Sequence, residues 1–199
     1  MRHHALDAVG AERVHRTLST DATLVTVVER VAALGLRDSY VAGGAVFQTL
    51  WNAVCGRPPE TGIKDYDVLS FDPDRSWSAE DTVIRQAAEA FADLPARVEV
   101  RNEARVHLWY EDTFGVACEA FTSTTDAIDH FAATTCSVGV RRGDDGAWEV
   151  YAPYGWQDVF AMVLRPNPVL APREVYEAKA VRWQLEWPRL KVLPWPEVP

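Results

Sequence analysis

The chain is 199 residues long, 48% apolar, and carries a formal net charge of −9. It is long enough for a real core in a single domain spanning 1–199, and its acidic balance excludes a surface that grips nucleic acid as a whole, leaving room only for a local basic groove. No apolar run approaches membrane-spanning length and Met1–Asp7 lacks the apolar centre of a signal peptide, so the expectation is a cytoplasmic protein with no membrane partner.

Leu24, Val27, Val28, Val31 and Leu34 recur at helical spacing behind Asp21, a good N-cap, and predict an amphipathic helix that ends near Gly35. Ser39–Ala42 suits a short buried strand. Gly43 and Gly44 allow a tight turn, and a helix runs from Gly44 to Cys55. Lys64–Phe71 reads as the next strand, Pro73 breaks it, and Ser78–Asp81 has the form of a capping box for a second helix. Strands from Arg97 and near Val106 complete a core over about 20–115. The remainder, about 116–199, is a C-terminal extension. It holds a short helix from Thr124, a strand over Cys136–Arg141, a turn at Asp144-Asp145-Gly146 into Trp148–Tyr151, and a helix over Asp158–Leu164 that stops before Pro166. A last helix over Arg173–Trp187 carries Trp183 and Trp187 on one face, and these with Trp51 are expected to pack inward. Cys55, Cys118 and Cys136 lack Cys-x-x-Cys spacing and read as small buried thiols. The order predicts a mixed sheet covered by helices on at least one face.

Asp65 and Asp67 stand one position apart, so in a strand both carboxylates leave the same face. Two such charges need a cation: a hard divalent ion, Mg²⁺ or Mn²⁺ in its place, takes oxygen ligands from carboxylates and nucleotide phosphates. The helix start behind Gly43-Gly44 presents free N–H groups that favour an anion. A second metal ion needs a third carboxylate, and Glu99 in Arg97-Val98-Glu99-Val100-Arg101 is the candidate; alternatively it pairs with its two arginines on a solvated strand surface. Arg105 and His107 share a strand face in this reading, as a phosphate ligand and a proton carrier or as a structural pair. The excess of Arg165, Lys179, Arg182, Arg189 and Lys191 either clamps a triphosphate or forms a solvated helix face, the commoner outcome.

Gly43–Val46, Gly56–Pro59 and Asp65–Asp67 together resemble the head motif of the DNA polymerase β-like nucleotidyltransferase superfamily, above all its poly(A) polymerase and CCA-adding branch. The resemblance continues through Asn102–Trp109, Ala152–Gly155, Arg165–Pro168 and Glu186–Leu190, blocks that make the chain similar to a bacterial nucleotidyltransferase-like family of unassigned substrate. It implies the minimal nucleotidyltransferase fold, α/β (α+β), with a C-terminal hairpin-and-helix extension. It also implies transfer of an NMP group from an NTP to an acceptor (small molecule, protein or RNA) with release of pyrophosphate. Gly43 and Gly44 would cradle the triphosphate, and Asp65 and Asp67, with Glu99, would be the catalytic metal ligands. Relatives commonly carry an arginine where this chain has Phe47, which leaves Lys64, Arg101 or Arg105 to supply the lost charge. The interval from Gly44 to Asp65 is longer than in CCA-adding enzymes. A symmetric homodimer is the commonest assembly for such enzymes. The competing reading is a relative without catalysis that senses nucleotides or binds protein, including an antitoxin-like or toxin-like role.

Overall fold

In the computed structural model, which describes residues 8–197, the chain begins with a helix that patterning had not singled out, α1 (Ala8–Leu18), whose Val14 and Leu18 are fully buried. Met1–Asp7 lies outside the described residues. The helix α2 (Ala22–Leu34) follows as expected: Asp21 caps it, accepting from Leu24 N at 2.8 Å, and Gly35 ends it in the left-handed conformation at φ 64°. Asp21 is itself fully buried, and its other carboxylate oxygen accepts from Thr49 and Tyr66 hydroxyls, each at 3.1 Å. Burial nonetheless raises its pKa.

Next come β1 (Tyr40–Ala42), α3 (Gly44–Cys55) and β2 (Asp65–Ser70), close to their predicted bounds. α4 (Trp77–Ala90) starts earlier than the Ser78 box implied. Ser76 is the cap, its hydroxyl accepting from Ala79 N at 3.3 Å, while Glu80 is drawn away to Asn102 N at 3.2 Å and Arg105 at 2.7 Å. β3 (Arg97–Asn102) is followed by a 3₁₀ helix over Glu103–Leu108 where a strand near Val106 was expected. Asn102 diverts the chain there. Its side chain accepts from Ala104 N at 3.1 Å and Asp72 N at 3.0 Å and donates to Asp72 O at 3.0 Å, which ends the ladder and starts a turn.

α5 (Tyr110–Phe114) and α6 (Thr124–Asp129) lead into the hairpin β4 (Gly139–Arg142) and β5 (Trp148–Tyr151); a 3₁₀ turn over Thr134–Cys136 delays the strand expected from Cys136 until Gly139. The helix expected over Asp158–Leu164 is only α7 (Gln157–Phe160), because Met162 takes φ 54° and the chain turns into β6 (Val163–Leu164). α8 (Arg173–Glu186) precedes β7 (Lys191–Val192), which pairs with β6 in parallel.

The main sheet has the order β3-β2-β1-β4-β5, with β2 and β3 parallel across α4 and the remaining neighbours antiparallel. The hairpin of the C-terminal part therefore belongs to the same sheet as β1, β2 and β3. Strand alternation sorts its faces: Val41, Val68, Val100 and Val140 join the large core with α1, α2, α3 and α8, while Tyr40, Ala42 and Leu69 meet Ile128 of α6 on the other face. α8 docks on α3 through Trp51, Trp183 and Trp187, all buried, with Trp51 edge-on to both. Arg57 also pairs with Glu186. Of the cysteines only Cys136 is buried, its thiol pushed up to about 12 by burial; Cys55 and Cys118 are half-buried. No helix among the described residues is long and apolar enough to cross a membrane.

Candidate active site

The sheet register joins the two sequence signals. Ala42 lies opposite Asp67, so the carboxylate stands next to the strand end from which the glycine turn departs. Gly43 turns with φ 62°, and a Cβ there would lie 3.1 Å from the Phe131 ring, so both backbone and space call for glycine. The Gly43 carbonyl accepts from Val46 N at 3.0 Å and Phe47 N at 3.1 Å. Among the described residues no hydrogen bond takes the N–H of Gly44 or Ala45, which are left as the donors of the first turn of α3.

These groups open onto a cleft of about 360 Å³ lined by Gly43, Gly44, Asp65 and Asp67 together with Lys179 and Arg182 of α8. Asp67 titrates at about 6, raised first by burial and then by Asp65 and Glu99. Lys179 and Arg101 oppose the shift without cancelling it. Both α8 cations lie over the Trp183 ring, Lys179 Nζ at 5.6 Å and the Arg182 guanidinium at 5.3 Å, and no ion pair holds either among the described residues. Gln48 Oε1 and Trp183 Nε1, both buried and without hydrogen-bond partners, belong to residues lining the same cleft.

Of the residues singled out from sequence, Gly43, Gly44, Asp65 and Asp67 come together here. Glu99 is in register with Asp67 on the same sheet face, but its carboxylate meets Arg97 at 2.7 Å and Arg101 at 3.4 Å. No group of three His, Cys, Asp or Glu side chains closes to metal-holding distance among the described residues. Lys64 is exposed and does not line the cleft. Arg105 is likewise elsewhere: its Nε pairs with Glu80 at 2.7 Å, it donates to Arg75 O, and its guanidinium lies 5.6 Å over the Trp77 ring. His107 meets Arg75 at 3.2 Å, so the Arg105–His107 strand-face pair does not form.

The structure brings two more residues to the cleft and a third to the cavity beside it. Lys179 and Arg182, for which the sequence offers a triphosphate clamp or the commoner solvated face, line the cleft because Trp183 packs inward beside them. Glu103 is only 7% exposed, and its carboxyl is pushed up to about 8 by burial, then by Asp67 and Glu80. The alternation Arg97, Glu99, Arg101 continues to Glu103, and that period was the available signal.

A nucleotidyltransferase family model matches residues 29–192. A solved structure, described as an NMR structure that reveals a CCA-adding enzyme head domain, shares the fold with a TM-score of 0.76 at 24% identity, covering 92% of this chain and 96% of its own. No curated protein sequence matches the chain.

Proposed function

The chain belongs to the nucleotidyltransferase family, and on that premise we propose that its cleft binds an NTP beside Asp65 and Asp67 and passes the NMP group to an acceptor hydroxyl. The observation that carries this reading is the register of Ala42 with Asp67, which sets a same-face carboxylate pair against the unoccupied donors of a helix N-terminus. Triphosphate oxygens would take the Gly44 and Ala45 N–H groups. Lys179 and Arg182 would neutralise charge on the same phosphates, which supplies what Phe47 does not: that ring is 1% exposed and packs 4.7 Å from Trp51 and 5.0 Å from Trp183.

The donor set fits Mg²⁺. Two carboxylates on one strand face, with Asp67 raised by burial and then by its neighbouring carboxylates, match an ion completed by phosphate oxygens and water rather than one enclosed by protein. Such an ion supplies charge neutralisation at the α-phosphate and a lowered acceptor pKa. The residues supply position. The α3 N-terminus fixes the triphosphate, Asp65 and Asp67 orient the reacting end, and α8 holds the leaving pyrophosphate. Glu99 serves as a positioning residue that draws Arg101 toward the sheet.

Calorimetric titration with each NTP, with and without Mg²⁺, beside an Asp65→Ala/Asp67→Ala variant, tests the assignment. Mg²⁺-dependent binding in the intact protein that disappears in the variant supports it; no binding, or binding indifferent to the two substitutions, overturns it. Lys179→Ala with Arg182→Ala should weaken Mg·NTP binding by roughly ten- to hundredfold, about 1.4 kcal/mol per tenfold step. Because Arg182 is exposed and Lys179 half-buried, thermal unfolding of that variant should stay close to the parent's.

A further inference from the structure

Next to the nucleotide cleft lies a second cavity of about 250 Å³, and Tyr110, His130 and Phe131 line both. Its walls are aromatic: Trp109 stands 44% exposed, its ring 6.0 Å from that of Tyr110, and Phe121 lies 5.1 Å from the His130 ring. One polar group in this lining is unengaged. Glu103 is buried, no hydrogen bond or ion pair takes its carboxyl among the described residues, and Asp67 and Glu80 lie near enough to act on it. The other charged groups have partners. Arg101 leans on Glu99 at 3.4 Å and Val100 O at 3.2 Å, Glu80 holds Arg105, and His130 Nδ1 meets Asp126 O at 2.7 Å.

We propose that this cavity is the acceptor subsite, and that it takes a small ring compound carrying an amine and a hydroxyl, the amine on Glu103 and the ring against Trp109 and Phe121. The proposal rests on the reading of the neighbouring cleft as the nucleotide site. A buried carboxyl without a partner favours a ligand that brings one, and aromatic faces attract an ammonium group as well as a flat ring. The volume is below the usual range of roughly 300–1,000 Å³ for ligand pockets, which favours a small acceptor. Glu80 and Glu103 line this cavity, and its arginine, Arg101, already leans on Glu99, which disfavours a polyanion there. In the transfer the acceptor hydroxyl oxygen bonds to the α-phosphorus and the bond from that phosphorus to the bridging β-phosphate oxygen breaks. Pyrophosphate leaves with the electron pair, and the hydroxyl proton passes to solvent.

The test uses three probes with one phenol ring: tyramine, which carries an amine, tyrosol, which is neutral, and 4-hydroxyphenylacetate, which carries a carboxylate. Saturation-transfer NMR on the full chain should show tyramine binding at least ten times more tightly than 4-hydroxyphenylacetate, with tyrosol between them, and Glu103→Gln should erase the order. Trp109→Ala, at a position 44% exposed, should weaken tyramine severalfold, with a thermal melt of the variant confirming that it folds. The proposal is overturned if none of the three binds, if the carboxylate binds as well as the amine, or if the preference survives Glu103→Gln. Parallel titration with each of the four Mg·NTPs separates the two levels: NTP binding without an amine preference removes the acceptor assignment alone, and absence of binding by all four removes the nucleotide reading and this one with it.

Discussion

Asn52→Ala should destabilise the protein by about 3–5 kcal/mol, because a buried indole N–H and two partly buried carbonyls lose their partner at once. Asn52 is fully buried on α3. Its amide donates to Pro59 O at 2.7 Å and Thr61 O at 2.8 Å, and its carbonyl accepts from Trp187 Nε1 at 2.9 Å. One side chain thus ties the loop that carries the chain from α3 toward β2 and pins the end of α8. Truncation strands two carbonyls and an indole N–H and leaves a cavity beside Trp51 and Trp187. Urea unfolding measures the loss. A change under about 1 kcal/mol would mean that water takes over all three bonds and that α8 is held by its tryptophans alone. The loss should also reach function, because α8 carries Lys179 and Arg182 to the cleft: at urea concentrations just below the transition, Mg·NTP binding should weaken in step with unfolding.

Much of this architecture was legible in the sequence where local chemistry decides it. Asp21 and Gly35 bound α2, Gly44 and Cys55 bound α3, and the alternation of Asp65, Asp67 and Leu69 against Tyr66 and Val68 sets the faces of β2, all through short-range rules. The failures have tertiary causes. Val106 looks like a strand residue until Asn102 bonds to Asp72 and Ala104, and the helix begun at Gln157 stops because Met162 turns left-handed to let β6 meet a strand from the end of the chain. The site divides the same way. Gly43, Gly44, Asp65 and Asp67 were visible because each belongs to a local pattern, whereas the register that brings Ala42 opposite Asp67 depends on pairing at a distance. The sequence left the placement of the cations undecided for a further reason. A helix pattern says that Lys179 and Arg182 flank Trp183, but which flank faces the cleft is fixed only when Trp183 meets Phe47 and Trp51. Arg105 looked the better phosphate ligand in sequence, and Glu80 takes it instead.

Asp67→Asn should move stability and binding in opposite directions. In the unfolded chain an aspartate titrates near 3.8, and in the folded protein Asp67 titrates at about 6, so between these values the native state holds the proton more tightly. For an acid shifted upward, folding becomes less favourable as pH rises from about 4 to beyond 6, and at pH 8 the ionised Asp67 is a net cost. The shift corresponds to about 3 kcal/mol at most, nearer 2 once the solvent that reaches this half-buried carboxyl is allowed for. Asparagine removes the charge with almost no change of shape. Without nucleotide the variant should therefore melt several degrees above the parent at pH 8 and match it near pH 4. With Mg·ATP the order should reverse, because binding stabilises the parent and the variant loses at least about a hundredfold in affinity with its metal-facing carboxylate. Thermal melts at the two pH values, with and without Mg·ATP, give all four quantities. A variant less stable than the parent at pH 8 would mean that Asp67 is already balanced by Lys179 and Arg101, the cations that oppose its shift. A variant that still gains stability from Mg·ATP would move the metal to Asp65 and Glu99.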